Sequence, residues 1–520
     1  MIKFDKKSLL LVILLAILAV FLRFYRLPAT FSIMFDQARD IEASLKIVDY
    51  HQFTLLGPQT SFGQWSNQET FFGPIHFYLI VLSMLVFGRS LLSPIYLTGI
   101  TNLLSCLFVC LLIYKITKNR LITLLITALY TFSSISVAYS RFLWNPNWLP
   151  FFVSLMLYFF WLSLEKKSTF WLILAGLCSG LALQSHYVVI PVVITPVILL
   201  FLSHKGWTAK IHKILIYAIG GTLGFSPIIM FEIRHHFYIT NAFIFQVSHS
   251  SGLLNSGYFG LIGAYFISLW LRMFGFITNI SIAPTYLATL LTLFILLTVL
   301  FLACKTKKVD QTSAYVFRFL LPVIIIGIFF APFWSASIHR AEDRYYLPIF
   351  IPAVLFYANL LKVFINKFNN KAAYSLLIAI NLVFIALNLR WDIKLITHNP
   401  QINTTEVSYQ GAITVADLIS DDVNKDGSGS VYNIANIVDG NTRGTYYRFL
   451  LNENGTPPLS VEQYPNAGVL YVLSTSADEN YVQNYPVWEI SAFCPCVTKT
   501  VIKAPYDTWI HKLVKKPSKV

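Results

Sequence analysis

From about residue 8 to residue 391 the chain alternates blocks of roughly 20 apolar residues with short polar connections. Most blocks carry no polar stripe, the pattern of a helix with lipid or protein on every side. They fall at about 8–27, 93–114, 121–138, 147–164, 169–186, 188–203, 214–232, 283–304, 314–333, 346–365 and 374–391, and predict eleven membrane-crossing helices. A further apolar run, "FFGPIHFYLIVLSMLVFG" (71–88), reads as a juxtamembrane or re-entrant helix shielded by protein. "YFGLIGAYFISLWLRMFGF" (258–276), interrupted by Arg272, reads as a second interfacial helix. Beyond residue 391 the pattern changes to polar and turn-rich. Strand-like pieces appear there, "GVLYVLST" (468–475) and "YPVWEISAF" (485–493). The expected architecture is an all-α polytopic membrane bundle over 1–391, with a first outer loop over 28–92. A small extracytoplasmic α/β or α+β domain over 392–520 completes it.

Composition supports the membrane assignment. The chain is 56% hydrophobic and 12% charged, where soluble domains carry about 25% charged residues. The net charge of +15 does not point to nucleic acid, because the basic residues cluster between apolar blocks: "KITKNR", "EKKS", "SHKGWTAKIHK", "KTKK" and "KFNNKAAY". Basic connections belong on the cytoplasmic side, and with eleven crossings they fall at every second one. Counting 71–88 as a crossing would break that parity. Lys3, Lys6 and Lys7 then lie in the cytoplasm and the C-terminus outside, in a plasma membrane of bacterial type. No small-residue cleavage site follows the first block, so it reads as a retained anchor. Cys106, Cys110, Cys178 and Cys304 sit in apolar blocks as small core residues. "CPC" at 494–496 implies no pairing by itself.

The outer side thus gathers the polar groups that bear chemistry. Straight after the first block comes "FSIMFDQARDIEASLKIVDY" (31–50), with Asp36, Arg39, Asp40 and Glu42 within seven residues. In a helix starting near Asp36, Arg39 and Asp40 share its face. Asp36 is then either an N-cap on a solvated helix start or a general base in a cavity at the membrane surface, kept ionised by Arg39. One carboxylate can do both. "HRAEDRYYLPIFIP" places Arg340 and Arg344 before a late block, and guanidinium forks suit phosphate oxygens at a membrane surface. They also stand beside Glu342 and Asp343 as partners, and Tyr345 and Tyr346 suit an interfacial belt. His76 and His186 lie near outer helix ends. "EIRHHF" has no ligand spacing that compels a metal site. "DVNKDGSGSVYN" (422–433) imitates a calcium loop, but Asn433 stands where a bidentate Glu is required, so it reads as a polar turn.

These segments together resemble the GT-C glycosyltransferases, nearest to the protein O-mannosyltransferases and the lipid A aminoarabinose transferase. The likeness runs over about 8–365 on short motifs: the acidic "FDQARD", the Gly-Pro-aromatic segment, "YSR" ending in Arg141, and "DRYYLP". It implies Asp36 as catalytic base, with Arg39, Arg340, Arg344 and Tyr345 on the donor phosphate. Asp40, Glu42, His76, Arg141 and His186 support them. The donor is a polyprenyl-phosphate sugar and the acceptor a protein, lipid or glycan hydroxyl. Nothing implies a nucleotide-sugar site or an organic cofactor, and a divalent metal is left open. The chain departs from the pattern at Gly73, where a basic residue is common, and at Asn145 and Asn147 in place of an Asp. His186 replaces a lysine. Rival readings are a transporter or flippase, or a polymerase or ligase, of lipid-linked glycans, and a non-catalytic receptor. Mid-span charges and internal repeats would mark the transporter.

Overall fold

The structure is a computed structural model that describes residues 6–60, 69–203, 206–249, 275–277, 346–368, 370–404, 406–425 and 431–516. The blocks at 283–304 and 314–333 and most of 258–276 lie outside the described residues. The chain divides into two compact units.

The first unit comprises 1–25, 51–89 and 93–394, and its named elements in the described part are all helices. Four helices among the described residues are long and apolar enough to cross a membrane: Ser93–Thr117, Asn145–Lys166, Leu347–Phe368 and Lys371–Thr397. Two further blocks are bent pairs, and counting each as one crossing makes six. Arg120–Thr131 meets Ser134–Ser140 at 52°, and Trp207–Gly224 meets Ser226–Arg234 at 75°. The second bend follows from Gly224 and Pro227, which end one helix and start the next. The first has no proline. The backbone N–H that the break exposes at Ser134 is taken up by Asn388 Oδ1 at 2.8 Å, as burial in an apolar unit demands. The blocks at 169–186 and 188–203 form shorter helices of 17 and 14 residues. The run at 71–88 forms the helix Ile75–Phe87.

The helices Thr169–Ser185 and Trp207–Gly224 pack backbone to backbone. A Cβ on Gly176 would be driven into the carbonyl oxygen of Tyr217, and one on Gly220 into that of Ile173. Small residues permit this approach, which membrane helices use where no hydrophobic drive separates lipid from protein. Gly220→Val is therefore expected to destabilise the unit by about 2–3 kcal/mol. A detergent-solubilised melt of the variant superimposing on wild type would show that the pair can splay apart at no cost.

The second unit comprises 26–50, 90–92 and 395–520. Its main sheet has the order β3-β4-β6-β5, with β3 Tyr432–Asn436, β4 Val469–Ser474, β5 Cys496–Lys503 and β6 Trp509–Lys515. β3 and β4 run parallel, and β6 is antiparallel to both β4 and β5. The apolar run of β4 is buried at every position, as expected of a central strand covered on both faces. Helices Tyr409–Lys425 and Thr445–Glu453 pack against each other. A second, two-stranded sheet pairs β1, Ser32–Ile33, with β2, Val407–Ser408, antiparallel.

One expectation for this region changes. "YPVWEISAF" contains the helix Trp488–Ser491 rather than a strand. Ile490 and Phe493 enter the core three residues apart, which is helix spacing. Cys494 and Cys496 are joined in a disulfide. The calcium-loop imitation begins on a helix, where Asp422 accepts hydrogen bonds from Tyr471 Oη at 2.6 Å and Lys512 Nζ at 2.7 Å. That carboxylate is a partner for a buried lysine.

Candidate active site

The acidic motif lies in the second unit, on the helix Phe35–Tyr50. Gln37, Ala38, Asp40, Ile41, Ser44 and Ile47 are buried, a spacing that defines one face, and the helix packs against Thr445–Glu453. Its start is set by β1, whose backbone is followed by Met34. The Met34 N–H bonds Gln37 Oε1 at 3.2 Å. Asp36 is therefore in the first turn and is not the N-cap, although the helix dipole still favours its charge.

Asp36 is half-buried, and its Oδ1 lies 3.2 Å from Arg39 Nη1. Arg39 turns its other edge to Asp40: Nε and Nη2 each stand 2.9 Å from Asp40 Oδ1. The Asp40 side chain is 1% exposed, against 37% for Arg39 and 38% for Asp36. Burial works against the guanidinium charge, but Asp40 and then Asp36 outweigh it and hold Arg39 above its ordinary value. Glu42 points elsewhere, 3.7 Å from Lys46 on the exposed face, so it stands apart from the Asp36–Arg39–Asp40 cluster.

In the first unit, three of the motif segments converge. Gly73 N–H donates to Gln184 O at 2.9 Å, and Ile75 N–H to Gln184 Oε1 at 3.2 Å. A Cβ on Gly73 would meet the Gln184 side chain, which accounts for glycine at a position where a basic residue is common. Phe72 lies against the His186 ring, centroids 4.5 Å apart, and Tyr187 Oη donates to Phe71 O at 2.7 Å. His186 Nδ1 accepts from Val188 N–H at 3.2 Å. His76 is fully buried, with Nδ1 accepting from Trp148 Nε1 at 2.9 Å. Asn145 Nδ2 donates to Ser185 O at 2.8 Å, and Asn147 Nδ2 to Tyr139 O and Phe142 O at 2.9 and 2.7 Å. The two asparagines thus hold backbone in place, as does Arg141, which donates to the carbonyls of Leu22, Arg23 and Tyr25 at 3.0, 2.9 and 3.1 Å. These carbonyls belong to the last turn of the helix Lys6–Phe24 and the residue that follows it.

Beside Arg141 is a cluster that sequence reasoning missed. Arg23, 0% exposed, donates from Nε and Nη2 to Asn102 Oδ1 at 2.9 and 2.8 Å and from Nη2 to Thr131 O at 2.9 Å. Asp392 is buried within electrostatic reach of Arg23 and Arg141. Neither of its oxygens has a hydrogen-bond partner among the described residues. The signal was present, because an arginine inside an apolar block is costly unless something holds it.

Arg340, Arg344 and Tyr345 lie outside the described residues. Tyr346 and Pro348, which follow them, are buried at the start of Leu347–Phe368. Among the described residues no group of three or more His, Cys, Asp or Glu is placed to hold a metal ion.

A polytopic helical unit with helices long and apolar enough to cross a membrane, and a small mixed-sheet unit, describe an integral membrane protein. Residues 72–231 match the family described as dolichyl-phosphate-mannose-protein mannosyltransferase. Among solved structures, ArnT from Cupriavidus metallidurans bound to undecaprenyl phosphate is similar over 96% of this chain and 97% of that one, with a TM-score of 0.59 at 13% identity. The apo state of that protein gives 0.56 with the same coverage and identity. No curated protein sequence matches the chain. The resemblance to the GT-C glycosyltransferases is borne out, and at this identity the likeness to ArnT shows the shared fold.

Proposed function

We propose that this chain is a membrane glycosyltransferase that moves a sugar from a polyprenyl-phosphate carrier to an acceptor hydroxyl at the outer membrane face, with inversion at the anomeric carbon. The observation that carries the reading is Asp36, a half-exposed carboxylate in the first turn of the helix that follows the first apolar block, with Arg39 3.2 Å away. The family match and the shared ArnT fold support it.

Asp36 takes the proton of the acceptor hydroxyl as the oxygen attacks the anomeric carbon. The new C–O bond forms on the face opposite the phosphate, whose own bond to carbon breaks and carries the electron pair away. Polyprenyl phosphate is a good leaving group and needs charge stabilisation rather than protonation, so one carboxylate suffices where a glycosidase uses two. Arg39, 3.2 Å from Asp36, takes that task in this reading, and the resemblance adds Arg340, Arg344 and Tyr345. His76 and His186 act by holding the 71–76 segment to Trp148 and to the end of Thr169–Ser185, and Arg141 by fixing the end of the first helix.

The test uses the full chain in lipid nanodiscs with a panel of radiolabelled polyprenyl-phosphate sugars and a membrane extract as acceptor source. Covalent transfer of label from at least one donor is expected. Label that crosses proteoliposomes without covalent transfer would make the protein a transporter instead.

A further inference from the structure

We propose that Asp40 is a positioning residue: it grips one edge of Arg39 so that the opposite end of the same guanidinium serves Asp36 and the phosphate of a polyprenyl-phosphate ligand in turn. The inference rests on the roles given above to Asp36 and Arg39.

The argument starts from how the donors divide. A guanidinium carries five N–H groups in a rigid plane. Nε and Nη2 meet a single oxygen, Asp40 Oδ1, at 2.9 Å each, a side-on grip. Nη1 faces Asp36 Oδ1 at 3.2 Å. Two donors are thus spent on Asp40 and one on Asp36, which leaves one N–H on each of Nη1 and Nη2. That end of the fork matches two phosphate oxygens.

The two carboxylates hold Arg39 with very different tenacity. Asp40 is 1% exposed and Asp36 38%. A buried carboxylate that loses its cation keeps its desolvation penalty, so the Asp40 pair persists. A half-exposed pair is screened and readily exchanged for water or another anion. When phosphate arrives, the Asp36 contact is the one that gives way, while Nε stays on Asp40. Without this anchor Arg39 would be a long side chain with many rotamers at the edge of the site. With it, the ligand meets a fork already ordered. No base role is open to Asp40 itself, which the side chains around it close off from solvent.

The experiment measures binding of undecaprenyl phosphate to the full chain in nanodiscs, and transfer from whichever donor proves active. Asp40→Asn is expected to weaken undecaprenyl phosphate binding about tenfold and to act mainly on the donor KM. Asp40→Glu, which restores the charge, should recover part of the loss. Arg39→Lys should lose binding as severely as Asp40→Asn, because an ammonium cannot be gripped and present a fork at once. Binding by Asp40→Asn equal to wild type, with Arg39→Lys impaired, overturns the inference and leaves Asp40 as packing. Absence of binding in wild type overturns the functional reading itself, and the inference with it. A second measurement needs no Asp40 variant: in 15N-arginine-labelled wild type, with Arg39→Lys to assign the signals, undecaprenyl phosphate should shift the Arg39 Nη resonances and leave Nε in place. An equal shift at Nε would mean that Asp40 lets go.

Discussion

Asp36→Asn is expected to lower sugar transfer by about two to four orders of magnitude, the usual contribution of a positioned general base, while binding of undecaprenyl phosphate is retained. The asparagine keeps the shape of the side chain and its place in the first turn, and removes only the ability to accept a full proton. The Arg39 Nη1 contact at 3.2 Å is weakened, but the guanidinium remains on Asp40 at 2.9 Å, so the phosphate handle survives. Paired transfer and binding assays on one preparation check this. Transfer by Asp36→Asn within a few-fold of wild type would remove Asp36 from the chemistry and reduce the motif to a charged helix start.

The second large effect concerns stability. Arg23→Met should cost about 3–5 kcal/mol, the range for breaking a buried charge cluster by deleting one member. The side chain is fully buried in the first helix and bonds Asn102, Thr131 and, through Nη1 at 3.1 Å, Ala19. Methionine fills much of the volume but leaves Asn102 Oδ1 and the Thr131 carbonyl short of a donor, and Asp392 loses one of its two cations. The thermal midpoint in detergent should drop sharply, and Arg23→Lys should recover part of it. Lys115→Met is the control. Its partner Glu165 is 40% exposed although only 2.5 Å away, so a change within about 1 kcal/mol is expected. Equal midpoints for Arg23→Met and wild type would mean that the cluster holds nothing together.

The apolar blocks were legible because an 18-residue run without charge leaves few alternatives to a helix. Their breaks were less so. Gly224 and Pro227 announce the 75° bend, but nothing local announces the bend at Phe132 and Ser133, where Asn388, 254 residues away from Ser134, supplies the missing bond. In the small unit β4 reads as a strand by composition. "WEIS" does not read as a helix, because the burial of Ile490 and Phe493 is settled by the sheet they pack on. At the site, the pairing of Asp36 with Arg39 follows from helix spacing. The difference between Asp36 and Asp40 does not, since two aspartates four residues apart look alike until tertiary packing closes over one of them. His76 and His186 were visible as residues near helix ends, whereas Trp148 and Gln184, which hold their segment, carried no chemical signal of their own.

The pairing of β1 with β2 joins Ser32 to Ser408, and the helix bearing Asp36 follows directly from β1. Synthesis proceeds from the N-terminus, so this helix emerges early but meets its strand partner only after some hundreds of further residues have been made. So long a closure is slow by comparison with the local pairing of neighbouring helices. Residues 26–50 are therefore expected to gain this strand partner only after most of the chain has been made. A chain cut short before Val407 would lack the partner of β1, and with it the strand contact at the start of the helix that bears Asp36.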